Sequence, residues 1–180
     1  RSIVRFAKDL HIISDTARFL FDSDSYMATI KEPLISLQMK PVRTIQNMNG
    51  DWVLDTGSPH YVHFAEDIER IDILPYARSI RYSSQFPEGI NVNIVERKSD
   101  NTLAMRTYER GVEDETYSCG TGVVAAALAY HHQSKSNQSH FYIQTKGGEF
   151  EVGFQYQDGF YSHILLIGRA EFVYQGEYRF

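Results

Sequence analysis

Only one cysteine, Cys119, occurs in the 180 residues, which excludes an internal disulfide and fits a reducing compartment. Long apolar runs are missing too. The longest, Val123 to Tyr130, is far shorter than the roughly 20 residues a membrane-crossing helix requires. Strong charge is also lacking: a net charge of −5 argues against a phosphate backbone as the main partner. The opening "RSIVRFAKDL" carries charges where the apolar region of a signal peptide belongs, so none is expected there. What remains is the composition of a soluble globular protein, 42% apolar and 23% charged, long enough for one large domain or two small ones.

The chain opens on Arg1 rather than methionine, which reads as a trimmed start. Ile3, Val4, Phe6, Ala7 and Leu10 recur as on one buried helix face. Thr16 to Phe21 and Tyr26 to Ile30 read as strands joined by a polar "DSDS" turn. The two prolines of "EPLISLQMKPV" suggest an edge segment and a domain boundary near Lys40-Pro41. Asn49-Gly50 marks a hairpin in "NMNGDWVLDTG". A second hairpin turns at "KSDN", with Ile90, Val92 and Ile94 on one face of its first strand and Asn91 and Asn93 on the other. Leu103, Met105, Thr107 and Glu109 share a face of the returning strand. "CGTGVVAAALAYHH" predicts a buried helix, and "HFYIQTK", "GEFEVGFQ", "SHILLIG" and "AEFVYQGEY" predict closing strands. Many antiparallel strands with two helices make an α+β architecture, with sheet wrapped around helix, rather than a βαβ repeat.

"WVLDTGSPHYV" contains the Asp-Thr-Gly-Ser of aspartic proteases. Such an enzyme needs two aspartates sharing one proton, and a single chain supplies two such loops where this one has one. A homodimer could supply the second, but its subunit would be about half this length and built mainly of strands. The protease reading is therefore disfavoured, and Asp55 reads as a turn residue hydrogen-bonding its own backbone.

Three other segments belong together: "FPEGINVN", "TYERG" and "ETYSCGTG". Cys119 stands at the mouth of a helix, where unpaired amides and the dipole favour a thiolate. Gly120 and Gly122 allow backbone amides to approach an anion. Taken singly these signals are weak, because a lone cysteine is often a small buried hydrophobe. Glu109-Arg110 could be a surface ion pair, His131-His132 a helix-end pair, and Glu113-Asp114-Glu115 a solvated turn.

With "GSPH" placed ahead of them, "FPEGINVN", "YERG" and "SCGTG" resemble, in this order, the second half of diaminopimelate epimerase, and element order agrees along essentially the whole chain. The resemblance implies two pseudo-symmetric α+β domains, each wrapping strands around a central helix, with the first incomplete here. Residues 1–40 would end the N-terminal domain, 41–167 form the C-terminal domain, and 168–180 return as a strand to the first. It also implies a cytoplasmic, homodimeric isomerase in lysine and cell-wall synthesis. That enzyme interconverts L,L- and meso-diaminopimelate without pyridoxal phosphate, metal or other cofactor, and without nucleic-acid or membrane partners. Inversion needs a proton-accepting and a proton-donating group on opposite faces of the α-carbon, and the family uses two cysteines. By motif, Cys119 is the second catalytic cysteine, and Gly120 and Thr121 bind the α-carboxylate. Ser58, Asn91, Glu109 and Arg110 contact substrate, while His60 and Glu109 tune the thiols.

The sequence departs from that pattern in three places. The family's first cysteine, in a Cys-Gly-Asn-Gly segment, is absent, so about a third of the natural protein is expected upstream of Arg1. Ser58 replaces the asparagine of Gly-Asn-Pro-His, and the turn from Gly111 to Cys119 is one residue longer than the common form. A related proline or hydroxyproline racemase and a non-catalytic amino-acid-binding relative stand as the alternatives.

Overall fold

The computed structural model describes residues 1–21 and 23–177. The chain divides into two compact units, one made of Arg1–Leu37 with the segment from Ile167 onward, the other of Gln38–Leu166.

In the first unit, helix α1 (Ser2–Asp9) precedes strands β1 (Thr16–Phe21), β2 (Asp24–Lys31) and β3 (Leu34–Gln38), which pair antiparallel in that order. The "DSDS" turn includes Asp22, which lies outside the described residues. Val4, Ala28, Ile30 and Ile35 form the core of this unit. The buried helix face expected from the sequence holds only at Val4; Ile3 and Phe6 are 64% and 53% exposed.

In the second unit, β4 (Ile45–Met48) and β5 (Asp51–Asp55) form the expected Asn49-Gly50 hairpin, with β6 (Pro59–Phe64) added antiparallel to β5. Helix α2 (Ile73–Arg81) carries the chain to β7 (Asn91–Arg97), which lies parallel to β6. β8 (Thr102–Glu109) returns antiparallel and carries the short β9 (Asp114–Thr116). Helix α3 (Gly120–Ser134) then leads to β10 (His140–Thr145), parallel to β8, and on to β11 (Gly148–Gln157) and β12 (Phe160–Arg169). The strand order of this unit is β12-β11-β10-β8-β7-β6-β5-β4. Two pairs are thus parallel among mainly antiparallel neighbours, because each chain return passes through a helix.

The period-2 pattern of β7 separates two cores. Ile90, Val92 and Ile94 join Ile73, Ala77 and Tyr108 beneath α2. Val95, Leu103 and Met105 pack with Leu54 and Val62 against α3. Helix α3 is apolar all round, and Val123 to Ala129 are completely buried, as befits a helix enclosed by sheet. Its alanines let strands approach from several sides, while Leu128 and the surrounding Phe141 and Ile143 each contribute roughly 1.5–3 kcal/mol by burial.

Helix α2 has no counterpart among the sequence expectations. Pro75 suggests a break there, yet it falls in the first turn, where no intrahelical N–H bond is lost. Ile73 and Ala77, one turn apart, carry its buried side. Nor does "AEFVYQGEY" form the closing strand expected of it. The last strand ends at Arg169 and residues 170–177 are irregular; the remainder of the expected return strand, 178–180, lies outside the described residues.

Candidate active site

The "DTGSPH" segment is a turn anchored to the start of α3. Asp55 Oδ1 accepts the Gly57 N–H at 2.7 Å, closing a turn in which Gly57 takes φ +115°, a value that favours glycine. Thr56 Oγ1 donates to the Thr121 carbonyl at 2.8 Å. Asp55 itself is exposed and occupied with its own backbone, so its role is structural, and the turn delivers Ser58 and His60 inward. His60 is fully buried and lies opposite Asn91 in the β6–β7 register.

Cys119 occupies the N-cap of α3 in extended backbone conformation, and its thiol is buried. Thr121 Oγ1 lies 3.3 Å from Cys119 Sγ, 2.9 Å from His60 Nε2 and 3.3 Å from Ser58 Oγ. Ser58 Oγ is also 3.1 Å from His60 Nε2. Asn91 Nδ2 donates to Ser58 Oγ and to the Pro59 carbonyl, both at 3.0 Å, and Asn91 Oδ1 accepts the Arg110 N–H at 2.9 Å. Ser58, His60, Asn91, Cys119 and Thr121, drawn from three chain segments, therefore form one connected polar group. Gly122 makes room for it: a Cβ there would stand 2.5 Å from Asn93 Oδ1 and 3.3 Å from both Cys119 Cβ and His60 Cε1.

Electrostatics correct one expectation. Placement at a helix mouth suggests a lowered thiol pKa, but burial pushes the Cys119 thiol above its ordinary value, and the nearby Glu109 charge adds to this. The Thr121 hydroxyl and the Gly122 and Thr121 amides pull the other way without prevailing, because removing a thiolate from water costs more than these bonds return. Cys119 is thus a protonated thiol at rest. Burial, and secondarily the Arg110 charge, push His60 down to about 3, so its ring is neutral at physiological pH.

Glu109 and Arg110 stand where β8 ends. Thr116 donates a short hydrogen bond to the Glu109 carboxylate, and Arg110 Nη1 donates to the Glu88 carbonyl at 3.2 Å, so Glu109 is not paired with Arg110. Below them Glu113 gathers the Gly111 N–H at 3.0 Å, Arg81 Nη2 at 2.7 Å and the hydroxyls of Tyr82 and Tyr108. Glu113 is therefore an organised acceptor rather than a solvated turn residue. His131 lies away from this group, bonded to Tyr161 Oη at 2.8 Å.

Thr56, Asn93, Thr107 and Glu113 were not among the candidate residues. For Asn93 and Thr107 a signal existed: strand alternation puts them on the faces of Asn91 and Glu109. Nothing local marks Thr56, whose partner Thr121 lies 65 residues away; Glu113 has Gly111 and Tyr108 close in sequence, but its Arg81 partner lies 32 residues away.

Residues 52–173 match the family model described as diaminopimelate epimerase. A diaminopimelate epimerase of Flavobacterium psychrophilum is 42% identical over 178 residues, covering 97% of this chain and 69% of the relative. One from Chlorobaculum tepidum is 37% identical, covering 88% and 64%; the chain thus spans about two thirds of the length of these curated relatives. Among solved structures, a hydroxyproline epimerase from Agrobacterium vitis superposes with a TM-score of 0.64 at 14% identity, over 93% of this chain and 61% of that one. At that identity the likeness concerns the fold.

Proposed function

The chain belongs to the diaminopimelate epimerase family, a family of isomerases, and from that premise we propose that the intact protein interconverts L,L- and meso-diaminopimelate through Cys119. The observation that carries this reading is the position of Cys119 Sγ at the start of α3, 3.3 Å from the Thr121 hydroxyl, in a buried group of neutral hydrogen-bonding side chains.

Inversion at the α-carbon breaks one C–H bond and forms another on the opposite face. In one direction a base takes the α-proton, the bonding pair stays on carbon and spreads into the carboxylate, and the Cys119 S–H gives its proton to the other face, leaving a thiolate. In the reverse direction that thiolate is the base. A thiol protonated at rest suits the donor role, and the hydrogen bonds of Thr121 hold the thiolate once formed. The helix-start amides of Gly120 and Thr121 receive the α-carboxylate, where negative charge grows in the transition state. Ser58 and Asn91 contact the substrate. Arg110 offers a planar fork to its second carboxylate, and Glu109 meets an ammonium group. His60 and Glu109 set the local field at the thiol. A two-thiol mechanism requires its second acid–base group to come from a cysteine other than Cys119, the one cysteine of these 180 residues. The setting is the cytoplasm, the assembly a homodimer, and the reaction needs no cofactor.

Incubated with diaminopimelate in heavy water, the intact protein incorporates deuterium at the α-carbon, and Cys119→Ser loses at least about a hundredfold in rate, the lower range for removing an acid–base group. Normal turnover by that variant would sink the assignment. Equal or greater activity on proline would transfer it to the racemase alternative.

A further inference from the structure

Asn93 and Thr107 are buried polar residues on facing positions of β7 and β8 that the chemistry above does not use. Asn93 Nδ2 lies 3.0 Å from the Tyr61 carbonyl. A carbonyl only accepts, so this contact fixes which end of the amide is nitrogen. Consistently, Thr107 Oγ1 donates to Asn93 Oδ1 at 3.1 Å. The second Nδ2 hydrogen then points at His60 Nδ1, 3.1 Å away, and that ring nitrogen must accept. A neutral imidazole with Nδ1 bare carries its proton on Nε2, facing Thr121 Oγ1 at 2.9 Å. Thr121 accepts there and retains a hydroxyl hydrogen. Around Ser58 Oγ, His60 Nε2 and Asn91 Nδ2 are then both donors, so the Ser58 hydroxyl hydrogen has Thr121 Oγ1 as its acceptor, and the Thr121 hydrogen is directed to Cys119 Sγ, 3.3 Å away.

We propose that Asn93 is a positioning residue: by donating to Nδ1 it holds the proton of His60 on Nε2 and thereby turns the Thr121 hydroxyl toward the sulfur of Cys119. The hydrogen bonds run in one direction, Thr107 and Asn93 to His60, His60 to Thr121, Thr121 to the thiol. With the other tautomer Thr121 would donate to the ring instead, and the thiolate would lose a charge-assisted hydrogen bond. The charged groups bearing on this chain of bonds, Arg110 toward His60 and Glu109 toward Cys119, are left in place when Asn93 or Thr121 is changed.

The catalytic consequence rests on the proposed epimerase reading, but the test needs no turnover. In 15N-labelled intact protein, two-bond proton–nitrogen spectra of His60 show a bare Nδ1 and a protonated Nε2. Asn93→Leu replaces this pattern with the averaged shifts of exchanging tautomers. Alkylation of Cys119 by iodoacetamide, followed on its own peptide by mass spectrometry, slows about tenfold in Thr121→Val, the factor one charge-assisted hydrogen bond supplies. It slows in Asn93→Leu by up to the same factor, and the double variant is no slower than Thr121→Val alone. A wild-type spectrum with the proton on Nδ1 overturns the proposal even if no variant folds. So does wild-type alkylation in Thr121→Val, or additive losses in the double variant. Absence of α-proton exchange with diaminopimelate would refute the epimerase reading while leaving these readouts intact.

Discussion

At the residue scale the site depends on the missing side chain of Gly122. An alanine in the first turn of α3 would gain about 1 kcal/mol of helix propensity. Its Cβ, however, would press to 2.5 Å from Asn93 Oδ1, an atom held by Thr107 on an amide whose other end is tied to Tyr61. Overpacking of this kind costs about 1–3 kcal/mol, and the amide cannot move without releasing His60. Gly122→Ala is expected to lower the urea midpoint despite its better propensity and to reduce epimerase activity at least tenfold. Equilibrium unfolding and the deuterium-incorporation assay check the two parts.

At the element scale the turn between β8 and β9 is held from α2. Glu113 takes φ +61° and accepts from Gly111, Arg81, Tyr82 and Tyr108. The Gly111 amide first, then Arg81 and the two hydroxyls, hold its carboxyl down to about 2. Gln would set an NH₂ group against these donors. With about a third of the side chain exposed, the expected loss in Glu113→Gln is about 1 kcal/mol. Because Arg110 stands at the head of this turn, KM for diaminopimelate should rise more than kcat falls. Steady-state kinetics beside a urea titration at neutral pH read both effects. The lengthened turn was legible in "RGVEDETY", but not its partner, because Arg81 of α2 lies 32 residues before Glu113. Strand patterns served better, because facing residues in β7 and β8 are written into a period of two.

At the scale of the whole molecule, several groups with depressed pKa values make the folded state sensitive to acid, His60 and Glu113 by the largest shifts, with buried His131 acting in the same direction as His60. For His60, the folded value of about 3 lies below the ordinary 6.5; between them only the unfolded chain binds the proton. Its contribution is complete above pH 6.5 and fades as pH falls toward 3, by about 2 kcal/mol near pH 5 at 1.36 kcal/mol per unit. Glu113 contributes fully above 4.5 and loses its share as pH falls from there toward 2. Unfolding free energy should therefore decline between about pH 6.5 and 5, before any carboxylate contributes, and Glu113→Gln should leave that upper limb unchanged. Urea titrations of both proteins across this range test the assignment. The molecule has no helix long and apolar enough to cross a membrane among its described residues.

The sequence by itself determined the local patterns: the alternating faces of β7 and β8, the all-round apolar α3, the Asp55 turn and the ordered motifs by which the chain resembles its family. These depend on neighbours within a few residues, where backbone periodicity and turn chemistry are decisive. Only the tertiary structure decided that β6 and β7 run parallel across α2 and that burial holds the Cys119 thiol above its ordinary pKa. It alone joined Asn93 to His60 and His60 to Thr121, pairs 33 and 61 residues apart. Desolvation and the direction of a hydrogen bond are set by whatever the fold brings into contact, and sequence spacing carries no measure of that.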